Sequence, residues 1–154
     1  VRPITFLSKP THNYTFNGAI TLVDGQRGNK NSRSGQWLGF SEAPCEVVIT
    51  LPENTPIKEV SFKSFIDTGD WIYPPTHFEV QGSTDGKNYD TLAKEDYQLP
   101  TKHFREIKDY KLSFKEKKVT YLKVKINEVN KIPAFHNGAA GKPGFLFIDE
   151  IEVN

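Results

Sequence analysis

The chain has 154 residues, enough for one domain that hides roughly 70% of its extended surface, so its core needs no covalent staple. Charge is balanced, 20 basic residues against 19 acidic for a formal net +1, and the lysines are spread from Lys9 to Lys142. That spread argues against a nucleic-acid surface, which shows a basic stripe, and no apolar stretch approaches the ~20 residues that cross a bilayer.

The first recognisable signal is the turn Asp24-Gly25, which opens a long polar segment, 24–36. A strand follows at 37–41, where Trp37, followed by Leu38, reads as a core residue. Cys45, the only cysteine, begins the apolar run Cys45-Glu46-Val47-Val48-Ile49; a disulfide within the chain and a cysteine-based zinc site are therefore excluded. Glu46 has the wrong sign to activate that thiol, which reads as buried and structural. A strand at 46–51 ends at a turn predicted over Pro52-Glu53-Asn54.

In Val60-Ser61-Phe62-Lys63-Ser64-Phe65-Ile66, Val60, Phe62 and Ile66 share a face, the period-two signature of a strand. The segment 67–75, with Trp71 and Tyr73-Pro74-Pro75, is too long for a hairpin. Phe78 and Val80 alternate with Glu79 and Gln81 up to the turn Asp85-Gly86-Lys87-Asn88. Residues 104–114 read as a strand, and Lys115 to Lys118 as a short charged turn. Leu122, Val124 and Ile126 then alternate with lysines. After a third long segment, 130–144, containing Lys142-Pro143-Gly144, a last strand is predicted at 147–153. Half-buried strands and no clean helical stripe predict one all-β domain over 1–154, an antiparallel β-sandwich of jelly-roll type. Its core is expected to include Val60, Phe62, Ile66, Phe78, Val80, Leu122, Val124, Ile126, Ile151 and Val153.

Catalytic motifs are missing: there is no Gly-x-Ser-x-Gly, no His-Glu-x-x-His and no phosphate-binding glycine loop. Asp149 and Glu150 are adjacent, so on a regular strand they point to opposite faces and make no acid/base pair. His12, His77, His103 and His136 are scattered without metal-ligand spacing. The reading is a non-enzymatic domain. The lack of a leader and of any methionine is read as a piece cut from a longer protein.

The motifs that remain fall in a specific order: Leu22-Val23-Asp24-Gly25-Gln26-Arg27-Gly28, Trp37-Leu38-Gly39-Phe40, Trp71-Ile72-Tyr73-Pro74, Ser83-Thr84-Asp85-Gly86 before Tyr89, and Phe147-Ile148-Asp149-Glu150-Ile151-Glu152-Val153. Together they resemble the coagulation factor five/eight type C (discoidin-like) domain, which overlaps carbohydrate-binding module family 32. Trp37-Leu38-Gly39-Phe40, Trp71-Ile72 and His136 look most like the copy that follows the barrel of family 20 β-hexosaminidases (chitobiase-like) of Bacteroidetes. The resemblance implies an eight-stranded, galactose-binding-domain-like jelly roll and one structural calcium ion. Asp24 matches the first ligand and Glu150 the last, with carbonyls near Gly28 and Asn29 between, Asn29 serving as a neutral ligand. The family's second Asp and following Thr are missing from 26–31. The competing reading is that Asp24 caps a turn and Glu150 accepts loop N–H bonds.

The resemblance also implies a glycan of N-acetylhexosamine or galactose type, bound where the three long segments gather. Trp71 or Tyr73 would be the stacking platform, with Phe135, His136, Asn137 and Phe145 beside it and Arg33 at the rim. The expected protein is a monomeric, extracytoplasmic accessory module joined to a catalytic domain. The alternatives are a purely structural domain and a protein- or phospholipid-binding discoidin domain.

Overall fold

A computed structural model describes residues 4–7 and 37–154. Within them run seven strands: β1 (Ile4–Phe6), β2 (Leu38–Phe40), β3 (Cys45–Asp67), β4 (His77–Ser83), β5 (Asp90–Asp96), β6 (Arg105–Asn127) and β7 (Leu146–Val153). Every pairing between these strands is antiparallel. The only helical element among the described residues is a three-residue 3-10 turn, Thr68–Asp70.

β3 and β6, each 23 residues long, pair along almost their whole length and belong to both layers of a sandwich. The first half of β3 and the second half of β6 form one layer with β1, β4 and β5. The other halves form the second layer with β7, on which β2 lies. The ribbon bends where its register slips. From Thr50 to Thr55 five steps of β3 face two of β6, Tyr121 to Val119; from Ile57 to Glu59 two steps face four, Lys117 to Ser113.

These slips correct two turn predictions. Pro52-Glu53-Asn54 does not reverse the chain: it is surplus length bulged out of a continuous strand, with Asn54 at φ +53°. Lys115 to Lys118 likewise lie exposed along β6 at the second irregularity. Proline and a charge cluster were sound reasons to expect an exposed break in pairing; a bulge meets the same requirement without a reversal.

Side chains at alternate positions of both layers meet in one buried cluster that holds Val47, Ile49, Val60, Phe78, Val80, Leu122, Val124, Ile126 and Ile151. Phe62 of one layer meets Phe78 of the other edge-to-face at 4.8 Å and stacks on Tyr110 at 5.1 Å. Val153 is half-buried against this core, and Ile66 is fully buried outside it. The second layer is also covered on its far side, where Trp37, Phe65, Ile72 and Phe147 form a separate cluster. β7 is therefore buried on both faces from Leu146 to Ile151.

Candidate functional site

Two of the three long segments meet at one end of the sandwich. The chain leaves β3 through the 3-10 turn and returns on itself, Asp67 N–H donating to Ile72 O (2.9 Å) and Ile72 N–H to Asp67 O (3.0 Å). Segment 130–144 closes on its own backbone, with Ile132 N–H on Lys142 O and Gly141 N–H on Ile132 O, both 2.8 Å. The segments are then joined: Phe145 N–H donates to Trp71 O and Tyr73 N–H to Phe145 O, again at 2.8 Å. Gly144 makes the approach possible, because a Cβ there would stand 2.4 Å from Val129 Cγ1 and 3.4 Å from Trp71 O.

Trp71 occupies the crossing point with φ +68° and ψ 16°. For a bulky side chain this left-handed conformation is an outlier that costs about 1–2 kcal/mol. Its indole is half-buried on a small cluster of Tyr73, Val129, Ile132 and Ala139, with Phe135 beside it. The His136 ring meets its edge at 6.3 Å, and Lys142 Nζ lies 5.5 Å from its centre. His103 completes the group, edge-to-face with both Phe135 and His136 at 4.9 Å and 2.9 Å from Thr68 Oγ1 through Nδ1.

His136 is only 8% exposed, and neither ring nitrogen has a hydrogen-bond partner among the described residues. The other buried side-chain atoms in this condition are Tyr73 Oη, Asn127 Oδ1 and Glu128 Oε2. Tyr73 and His136 belong to the two joined segments, and Asn127 and Glu128 to the adjoining end of β6. Burial pushes the Glu128 carboxyl and the Tyr73 phenol above their ordinary values. Among the described residues, the buried side-chain polar atoms without a partner are gathered at this end.

The expected sugar-contacting residues thus separate. Trp71, Phe135, His136 and Asn137 do come together, with Asn137 exposed. Tyr73 does not serve as a platform: it is 0% exposed, because its ring fills the space beneath the loops. Phe145 turns away, packing on Phe147 at 6.4 Å against the covered side of the second layer. Arg33, Asp24 and Asn29, and the segment 24–36 that carries them, lie outside the described residues. His103 and Lys142 were not in the expected set; 33 positions separate His103 from His136, and no local pattern links them.

For a calcium ion the described residues supply Glu150, 9% exposed, and they contain no group of three or more His, Cys, Asp or Glu suited to a metal. Glu150 lies at a β7 bulge, where Ile151 to Ile148 takes three steps against two from Phe62 to Ser64. The bulge interrupts the strict alternation expected of Asp149 and Glu150, and both are buried. Asp149 Oδ1 accepts the N–H of Lys63 and that of Glu150, capping the interrupted ladder. Ser83 and Asp85 likewise have turn-building roles. Asp85 accepts from the N–H groups of Asn88 and Lys87, the Asn88 side chain and Ser83 Oγ, and these bonds hold its carboxyl well below the usual range.

A family model described as F5/8 type C domain matches residues 4–138. The chain belongs to that family. No curated protein matches this F5/8 type C domain, but solved structures do. A family 32 carbohydrate-binding module from Clostridium perfringens, in complex with GalNAc-β-1,3-galactose, superposes with a TM-score of 0.62 at 17% identity, over 99% of this chain and 94% of that one. Chitosan-binding module 1 of a chitosanase/glucanase from Paenibacillus sp. IK-5 gives 0.57 at 15% identity, over 99% and 94%. A Ruminococcus gnavus GH29 fucosidase in complex with fucose gives 0.59 at 10% identity, over 99% of this chain but 25% of the enzyme. At these identities the likeness establishes the fold, that of a carbohydrate-binding module.

Proposed function

We propose that this F5/8 type C domain is a non-catalytic carbohydrate-binding module whose sugar site is the loop end around Trp71, His136 and Asn137. The observation that carries the reading is Trp71 itself: a half-buried indole on a strained backbone, set against a buried imidazole without a hydrogen-bond partner among the described residues. Strain and unpaired polar atoms both lower stability, and they concentrate where a ligand is to be met. A pyranose lays an apolar C–H face on an aromatic ring and offers hydroxyls around its edge. Trp71 supplies the ring and Asn137 both donors and acceptors. A small opening of segment 130–144 would let His136 exchange a hydroxyl bond.

A shallow site of this kind binds at ~1 mM, about −4 kcal/mol, and gains its effect by holding an attached enzyme on a polymeric glycan. The attached domain is proposed to be a glycoside hydrolase, a family 20 β-hexosaminidase on the motif resemblance. The Ruminococcus fucosidase, of which this fold covers a quarter, supports such an arrangement. The ligand named for the Clostridium module supports an N-acetylhexosamine- or galactose-type sugar. An extracytoplasmic location follows from that role. A calcium ion between Asp24 and Glu150 belongs to the same proposal, supported by the buried carboxylate of Glu150; chelator should then lower the melting temperature of calcium-loaded protein, and Asp24→Ala should abolish the effect.

Backbone chemical-shift mapping with GalNAc, GlcNAc and galactose tests the sugar site. The expected result is saturable shifts at Trp71 and residues 135–137, lost in Trp71→Ala and weakened in Asn137→Ala. No sugar-dependent shift in the wild type at roughly ten times the ~1 mM expected would leave a domain that only packs on its neighbour.

A further inference from the structure

A broad groove lined by described residues lies at the opposite end of β4 from the loops, on the outer face of the first layer. It encloses about 540 Å³, within the range of small-molecule and oligosaccharide sites. Its floor is built by register. β6 turns Leu122 and Val124 into the core, so Tyr121 and Lys123 face out; opposite them on β3 stand Thr50 and Val48, and Thr5 of β1 lies beyond Val48. The β4–β5 loop forms one wall. Gly86, at φ +77°, is so close to Tyr121 that a Cβ would meet the ring at 3.2 Å. Leu7, at 52% one of two exposed large apolar side chains among the described residues, stands at the rim.

The charges are not arranged at random. Lys123 Nζ is held 4.2 Å from the centre of the Tyr89 ring, so this cation is already placed rather than sweeping through water. Lys87 sits on the wall. The one carboxylate in the lining, Asp85, is engaged by its own turn through four hydrogen bonds, and the two ammonium groups of Lys87 and Lys123 outnumber it. Two half-buried tyrosines, threonine hydroxyls and two ammonium groups make a surface for a ring-shaped, hydroxylated and anionic molecule.

We infer that this groove is a second binding site, for an acidic oligosaccharide carrying uronate carboxylates. A sugar ring would lie along the tyrosines, with a carboxylate on Lys123 and hydroxyls toward Thr50 and Thr5. The inference shares with the proposed function only the premise that the chain meets glycans. β4 alone separates the two places by about 20 Å, so one domain could hold two points of a branched or bundled polysaccharide.

The test is chemical-shift mapping and titration with tetragalacturonate and with its fully methyl-esterified, neutral counterpart, on wild type, Lys123→Gln, Tyr121→Phe, Tyr121→Ala and Trp71→Ala. The acidic tetramer should shift the amides of residues 48–50, 86–89 and 121–123. Its affinity should fall about tenfold in Lys123→Gln and as salt rises from about 0.05 to 0.5 M. Trp71→Ala and Tyr121→Phe should bind as wild type does, and Tyr121→Ala should not. Absence of shifts in the groove at about ten times the ~1 mM expected, or equal binding of the neutral tetramer, would overturn the inference. If the groove responds in Trp71→Ala while neutral monosaccharides leave residues 135–137 unmoved in the wild type, the loop-end reading fails and this one stands.

Discussion

Substituting Trp71 in two ways separates the strain of its backbone from the packing of its ring. An aromatic side chain with about 150 Å² removed from water contributes roughly 4 kcal/mol at ~25 cal/mol per Å², an upper value because unfolded chains are not fully extended. Trp71→Ala loses that contribution and keeps the left-handed penalty at φ +68°. Trp71→Gly loses the same contribution but sheds about 1–2 kcal/mol of penalty, against roughly 0.5–1 kcal/mol for glycine's freer unfolded chain. The glycine variant should therefore equal the alanine variant or exceed it by up to about 1.5 kcal/mol, whereas at an ordinary helix or strand position it would be lower by about 0.5–1 kcal/mol. Urea unfolding at fixed pH reads the difference as a shift in midpoint with unchanged slope. A glycine variant about 1 kcal/mol less stable than the alanine variant would refute the left-handed backbone, and with it the argument that this loop stores strain for a ligand.

Gly144→Ala should lower stability by about 1–3 kcal/mol, since its Cβ would collide with Val129, and should shift the amides of residues 71–73; a neutral variant would contradict the close approach. His77 bonds to Asp96 at 2.6 Å and Glu79 at 3.0 Å; burial pulls its pKa down, but the two carboxylates outweigh burial and hold it above the ordinary value. The same bond to His77 pulls Glu79 below its own ordinary value. His77's contribution is thus complete below about pH 6.5 and lost as pH rises through its raised pKa, while that of Glu79 is present above about pH 4.3 and lost on acidification. His77→Gln should cost at most about 1 kcal/mol near pH 6, Asp96 being exposed, and nothing near pH 9; a difference that grows with pH would reverse the assignment. Burial, with Glu46 adding to it, keeps the Cys45 thiol protonated, so a thiol reagent should label it only at the unfolding rate; labelling within seconds in native buffer would contradict that burial.

The period-two pattern was legible because it reports directly on which side chains a layer buries, and every predicted strand lies within or across an observed one. Strand length was not legible: Pro52 and the lysines at 115–118 mark exposed breaks in pairing, and a bulge in a long strand leaves the same trace as a turn between two short ones. At the loop end, Trp71, Phe135, His136 and Asn137 could be named because they are the residue types that stack on and hydrogen-bond to a polyol, and bulky aromatic rings are uncommon in a segment whose only task is connection. Tyr73 could not be told apart from Trp71 two positions earlier, since the left-handed turn at Trp71 decides which ring faces the interior. The His103–His136 contact arises from the segment leading into β6 and segment 130–144 arriving at the same place, a property of the folded topology.

The ribbon of β3 and β6 has a consequence for how the molecule comes apart. Because each strand serves both layers, the sandwich has no seam along which one sheet could peel away while the other stays paired; opening either layer pulls on hydrogen bonds of the other. Asn154 reinforces the bend, with Lys58 and Glu59 N–H groups on Asn154 O and Asn154 N–H on Glu59 O. Amide hydrogens on both sides of the bend should therefore exchange together, through global unfolding, while β5 at the edge and the loop end exchange earlier. In the proposed role, where a tethered module would take up load when its glycan is pulled, such a device would spread the force over the longest ladder among the described strands.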